Sequence, residues 1–215
     1  MATVAPLGSK RGGAFFSDRS LWWLMTVPAL LSGAWGVYIS FFWESLGAHY
    51  ERMFAVPFLA FLHTFGGGLA SLIGPFQFHK GLRRRQPVWH RQAGRVYLIA
   101  VGLSSLAALY ISPNSLAANT FGVAFIALAL AWLYTGWNAY ATARARDFQA
   151  HRRWMIRNFA LTYAAVTLRV QMPLLVAGGM DSVLALNVTG VTCWVPNLIF
   201  AEWYMRRDNK ARWRA

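Results

Sequence analysis

The sequence predicts an all-α polytopic membrane protein: a bundle of six transmembrane helices with both termini cytoplasmic. Three observations carry this expectation. The first is composition: of 215 residues, 57% are hydrophobic and only 13% are charged, where a soluble domain has about 25% charged residues. Mean hydropathy is +0.36. The second is a series of six long apolar runs. The third is a one-sided distribution of positive charge between those runs.

The organisation follows in chain order. Residues 1–20, MATVAPLGSKRGGAFFSDRS, are polar and basic and read as a cytoplasmic arm. Residues 21–205 form the six-helix transmembrane domain, and 206–215 a basic cytoplasmic tail. The first run, Leu21 to Trp43, exceeds the roughly 7–15 residues of a signal-peptide core and is expected to be retained as a span. Its Pro28 is tolerable because neighbouring helices repair a proline defect in a membrane. The later runs are Val56–Phe78, Val88–Ser112, Thr120–Tyr140, Trp154–Ala177 and Val183–Met205. Each meets the roughly 17–25 residues that a crossing helix needs. The third becomes purely apolar only at Val96, so His90, Arg91 and Arg95 are expected at the interface.

Every lysine and arginine except Arg52 and Arg169 falls on one side of a six-span arrangement. The groups are Lys10, Arg11 and Arg19 in the arm, then Lys80 to Arg95 between spans two and three. Arg144 to Arg157 follow between spans four and five, and Arg206 to Arg214 in the tail. The positive-inside rule makes that side cytoplasmic, in a plasma (inner) membrane. The net charge of +14 and pI of about 11.1 are thus topological. No nucleic acid partner is expected, and the lipid bilayer, with its anionic headgroups, is the natural counterpart. Trp22, Trp23, Trp43, Trp89, Tyr140, Trp154 and Trp203 near span ends read as interfacial aromatic belts. The single cysteine, Cys193, can form no internal disulfide.

Two of the basic loops share a pattern. Arg83 and Arg85 precede His90-Arg91 as Arg144 and Arg146 precede His151-Arg152, with identical spacing. Both histidines open a helix running away from the cytoplasm. Spans two–three and four–five therefore read as parallel repeats, related by an axis along the membrane normal, with His90 and His151 at equal depth. Chance alignment of arginine-rich loops is the competing explanation.

Ionisable residues inside a membrane are costly and are functional candidates by default. His63 lies about 10 Å into the second span from its outer end, and Arg169 about 12 Å into the fifth. Arg169 calls for an interior acceptor. Asn187 is the nearest polar candidate, and a bound propionate, lipid phosphate or substrate carboxylate is the alternative. Gly67, Ala70, Ser71 and Gly74 share the His63 face. Such a small-residue stripe serves close helix packing or leaves room for a flat ligand. His90 and His151 suit an axial metal site, since neutral imidazole binds iron. Arg91, Arg95, Arg152 and Arg157 are placed to meet haem propionates. His79 is a lesser ligand candidate, and His49 is expected in an outer loop. Glu202 is expected to pair with Arg206 one turn ahead. There is no glycine-rich phosphate loop, no intramembrane carboxylate pair and no zinc-spaced Cys/His cluster.

The stretches HTFGGGLASLIGPFQF, HRQAGRVY and HRRWMIRNFALTYAAVTLR, with WVPN around Asn197, resemble an uncharacterised family of predicted bacterial multi-pass membrane proteins. That resemblance spans the second to the sixth run and implies a membrane location without an established activity. More distantly, His90 followed by Gly94 looks like the cytochrome b561 and ferric-reductase transmembrane group. That likeness implies paired histidines on haem; here His63 has no deep histidine partner, so the cytoplasmic pair His90 and His151 is the better case.

Two readings of function follow for this integral membrane protein of unestablished activity. One is a b-type haem or quinone-linked redox protein, with haem b as cofactor and a quinone or a membrane redox protein as partner. The other is a non-catalytic membrane binding, transport or assembly factor. The topology is directly testable. Reporter fusions at Asp18, Gln86, Phe148 and Asp208 should report cytoplasm, and fusions at Gly47, Asn114 and Asp181 the outside. One inverted loop would overturn the orientation.

Overall fold

A computed structural model of the chain describes residues 18–46, 55–114 and 121–212. The expectations for residues 1–17, for His49 and Arg52, and for residues 213–215 lie outside the described residues. Among those described, every regular element is helical. Helix α1 covers Asp18–Phe42 and runs into a short 3-10 turn, Trp43–Leu46. Next come α2 (Pro57–Gln77), the short α3 (Lys80–Arg85) and α4 (Pro87–Ile111). After Phe121–Arg144 (α5), the fifth span consists of α6 (Phe148–Thr162) and α7 (Ala164–Ala177). The sixth consists of α8 (Ser182–Thr192) and α9 (Val195–Arg212). Among the described residues, six stretches are long and apolar enough to cross a membrane.

The structure corrects two boundaries. The fifth helix begins at Phe148 instead of Trp154, because Asp147 caps it: its Oδ1 accepts from the Ala150 amide at 2.9 Å. His151 and Arg152 thus stand in the first turns of this helix, as expected of a histidine that opens it. The fourth helix likewise continues past Tyr140 to Arg144. Polar residues extend a helix as well as apolar ones once it leaves the hydrocarbon, so hydropathy alone ends the element too soon.

Packing follows the chain. α1 lies on α2, α2 on α4, α4 on α5, and α5 on α6. The fifth span also reaches back, α6 to α2 and α7 to α1, while α8 and α9 lie outside against α5 and α6. Close approach needs glycine at two seams. A Cβ at Gly68 would stand 2.9 Å from the Gly33 carbonyl oxygen, and one at Gly74 would stand 2.3 Å from the ring of Phe159. The small-residue stripe is therefore filled: α4 and the Phe159 ring occupy the space that a flat ligand would need. Large apolar side chains such as Leu31, Phe58, Ile99, Leu106, Val123 and Leu174 point outward, as lipid requires.

Two spans are broken, and polar side chains mend each break. Pro196 cannot continue the ladder of α8. The Asn197 amide donates to the carbonyls of Cys193 and Ala160 and to Thr167 Oγ1, at 2.9, 3.3 and 3.0 Å. Gln171 and Thr192 exchange bonds of 3.3 and 3.0 Å between α7 and α8. Helix defects at membrane depth are tolerated where neighbours re-satisfy the freed groups in this way.

The centre holds a buried polar network. Tyr97 donates to Asn158 Oδ1 at 2.7 Å and lies 2.8 Å from Thr162 Oγ1. Asn158 Nδ2 donates to the Trp132 carbonyl and to Thr135 Oγ1, both at 2.9 Å. Trp132 Nε1 donates to Thr162 Oγ1 at 3.0 Å. Tyr97 and Asn158 are fully buried. Asn158→Ala should therefore destabilise the detergent-purified protein by about 1–3 kcal/mol, because three partners lose their bonds inside the bundle. Tyr97→Phe, which removes one hydroxyl, should cost less. Thermal melting of both variants checks the order; equal melting of Asn158→Ala and wild type would remove the network from the account of stability.

Candidate functional site

The network sets the position of the candidate ligands. His90 lies seven residues before Tyr97 on α4, and His151 seven residues before Asn158 on α6. Seven residues are about two helical turns, or some 10 Å, and return nearly to the same face. Both helices run away from the end of the bundle that carries the arginine-rich turns, hereafter the basic end. Pinning Tyr97 against Asn158 therefore carries His90 and His151 down to one level at that end. The two rings are close enough to act electrostatically on each other, and Arg83 and Arg91 act on His90 as well.

The rings are held differently. His151 Nδ1 lies 2.8 Å from the Ala139 carbonyl oxygen. A carbonyl only accepts, so this nitrogen donates, and in a neutral ring the lone pair is then on Nε2. A hydrogen-bonded Nδ1–H with a free Nε2 is the arrangement usual in metal-bound histidine. His90 Nδ1, by contrast, is buried without a hydrogen-bond partner among the described residues. So is Nε2 of Gln77, at the end of α2.

The arginines divide. Arg91 and Arg95 are exposed on α4, and Arg152 is half-buried beside His151. Arg157 is committed elsewhere. Its Nε and Nη2 donate to the two Glu202 oxygens at 2.5 and 3.1 Å, and its guanidinium lies 4.8 Å from the centre of the Trp154 ring. Glu202 therefore pairs across helices with Arg157, instead of along its own helix with Arg206. The bidentate fork favours this geometry. His79 is exposed and caps α3, accepting from the Leu82 amide at 3.0 Å.

In the other half, His63 Nδ1 lies 3.1 Å from the Ser104 carbonyl oxygen, while Ser104 Oγ donates to the His63 carbonyl at 2.8 Å. The same logic protonates Nδ1. Arg169 is near enough to act on His63 electrostatically. Its Nη1 donates to Ser32 Oγ at 3.2 Å and to the Ala165 carbonyl at 2.8 Å. Asn187, the acceptor expected from depth alone, turns its amide to Val183 of its own helix. Ser32 of α1 takes that place because span five leans on span one, which depth in a sequence does not encode.

Two surface grooves complete the geometry, and neither is lined by His63, His90 or His151. One of about 520 Å³ runs along α9 past Trp194, Glu202 and Arg206. The other, of about 410 Å³, lies at the basic end between Trp22, His79 and Arg85. Among the described residues no group of three or more His, Cys, Asp and Glu side chains gathers to hold a metal ion. Sequence reasoning missed Gln77, Tyr97 and Asn158. The available signal was a carboxamide or phenol inside an apolar run, which must find a partner within the bundle.

Comparison with known proteins gives one family, described as a predicted membrane protein (DUF2306), which matches residues 60–205. No curated protein matches the chain, and no solved structure does.

Arg169→Leu should lower the melting temperature although it raises hydropathy, because the donors to Ser32 and Ala165 are lost inside the bundle, a loss of about 1–2 kcal/mol. Arg169→Lys should restore only part, since an ammonium lacks the planar fork. Wild-type melting of Arg169→Leu would reduce this residue to a bystander.

Proposed function

The chain belongs to the DUF2306 family of predicted membrane proteins, and on that premise we propose that it is a b-type haem protein of the plasma membrane, linked to quinone and electron transfer, with its termini cytoplasmic. The observation that carries the reading is the Tyr97–Asn158 hydrogen bond, which sets His90 and His151, each seven residues earlier on its helix, at one level at the basic end. The donor set suits haem better than a bare metal ion. His90 and His151 would hold the haem iron, whereas a bare ion asks the protein for three or more ligands. When bound, haem supplies one-electron chemistry.

The chain's own residues have defined roles in this reading. His151 presents Nε2 because Ala139 holds its Nδ1–H. His90 stands at the same level on α4. Arg91, Arg95 and Arg152 form a cationic rim to which the haem propionates would turn. Arg157 keeps α6 and α9 together through Glu202 and is set aside as a propionate donor. The tight packing of Gly74 against Phe159 and the Tyr97 network seal the interior above the histidines from water.

The alternative, a non-catalytic membrane binding, transport or assembly factor, draws support from one observation. Arg157 and Arg169, the deepest cations, have protein acceptors and ask for no ligand.

A spectrum separates the two. Protein purified after expression with ample haem supply should show a Soret band that shifts on dithionite reduction, with the low-spin form expected of two imidazoles. His90→Ala or His151→Ala should abolish the low-spin spectrum and His79→Ala leave it. Loss of the band in His63→Ala alone would move the iron to the other half of the bundle, and a colourless wild type would favour the alternative.

A further inference from the structure

Gln77 is the last residue of α2 and only 6% exposed, yet its Nε2 meets no partner among the described residues. Its Oε1 is turned toward α4: a Cβ at Gly94 would stand 3.1 Å from it. His90 lies one turn before Gly94 on the same helical face, and its Nδ1 is equally buried and unpaired. Two facing helices thus each carry one unpaired polar atom near Gly94: the Gln77 carboxamide lies against that glycine, and His90 stands one turn before it. A buried donor left unpaired is penalised in full, and a bilayer offers little water to relieve it.

The chemistry of the missing partner can be read from the donors. A carboxamide nitrogen only donates, so the partner must present an acceptor oxygen. An amide nitrogen is an uncharged donor, and the His90 ring donates from Nδ1 in the tautomer that leaves Nε2 its lone pair. The guanidiniums of Arg83 and Arg91 are exposed at the rim and bear on His90 only through their field. A formal anion would be desolvated here without direct charge pairing, whereas a neutral carbonyl oxygen needs only these hydrogen bonds. The neighbours are aromatic: Phe76 meets Trp89 edge-on at 6.5 Å, and Phe78 meets Phe159 at 5.4 Å. A planar, lipid-soluble ring bearing a carbonyl fits that setting.

We propose that Gln77 and His90 form a docking site for a carbonyl oxygen of a membrane quinone head group, between α2 and α4 at the basic end. The inference deepens the redox reading and rests on it for its purpose, but quinone binding itself requires no haem.

The test is titration of the full-length, detergent-purified protein with decylubiquinone, followed by quenching of tryptophan fluorescence, for which Trp89 is well placed. Wild type should saturate. Gln77→Leu should bind roughly tenfold more weakly, the loss expected for a buried donor. Gly94→Ala should also weaken binding by pushing the Gln77 amide aside while every donor remains. It keeps the test alive should Gln77→Leu fail to fold, with melting curves as the check. The idea fails if binding does not saturate or if neither variant alters affinity. It also fails if a decyl-substituted ring without carbonyls binds as tightly, or if phospholipid displaces the probe with the same Gln77 dependence, which would assign the site to a lipid ester carbonyl. A Soret band without saturable quenching removes the quinone site alone; Gln77-dependent quenching in a colourless protein removes the haem alone.

Discussion

The rest of the structure depends on one constraint: the Asn158 carboxamide must have its hydrogen bonds made inside the bundle, where its side chain is fully buried. Its carboxamide accepts from Tyr97 on α4 and donates to Trp132 and Thr135 on α5, while Thr162 on its own helix closes the loop. Apolar packing in a bilayer fixes helix rotation weakly, because lipid tails are as apolar as leucine side chains. A directional network among three spans fixes it strongly. Once α4, α5 and α6 are set in rotation, the faces two turns away are set as well, and those faces carry His90 and His151.

That relation gives the repeat a physical basis. The arginine and histidine spacings of the two loops match, but arginine is abundant at this end for topological reasons. The seven-residue interval from each histidine to a network member is a separate coincidence, and it is the one with structural consequence. It converts a contact at the centre of the bundle into proximity at its basic end. Yet the two helices are not equivalent. His151 leans on a carbonyl of α5, its partner in the hairpin. The corresponding helix for His90 is α2, which offers Gln77 and no carbonyl bond.

How much of this the sequence disclosed follows from what each signal measures. Six spans were legible because hydropathy integrates over twenty residues and the helices obey it. The starts of α6 and the end of α5 were not, since Asp147 and the arginines prolong helices beyond the apolar runs. Arg169 was recognised as needing an acceptor, but Ser32 was out of reach: helix neighbours are a three-dimensional fact, and Asn187 was chosen on depth alone. Arg157 was grouped with the rim by its position in the chain, whereas its side chain turns to Glu202. Gln77, Tyr97 and Asn158 were overlooked inside motifs whose histidines and arginines drew notice first, although an uncharged polar side chain in a span carries the same demand for a partner.

That demand distinguishes the two ends of the polar interior. In the half away from the arginines, His63 has Ser104 and Arg169 has Ser32 and Ala165. The breaks in spans five and six are stitched by Asn197, Gln171 and Thr192. Ser105 and Asn187 each leave one oxygen unpaired, but they stand on separate helices, and the Asn187 amide still donates to Val183. At the basic end the unpaired atoms are on Gln77 and His90, and a side chain at Gly94, one turn from His90, would crowd the Gln77 carboxamide. A chain that meets the needs of nearly every buried polar group departs from that rule here, beside its paired histidines. Local rules are broken at functional sites more readily than elsewhere, because the cost is recovered when a ligand is bound. The arrangement of satisfied and unsatisfied groups, more than the number of charges, is therefore what the proposed small-molecule site at the basic end rests on.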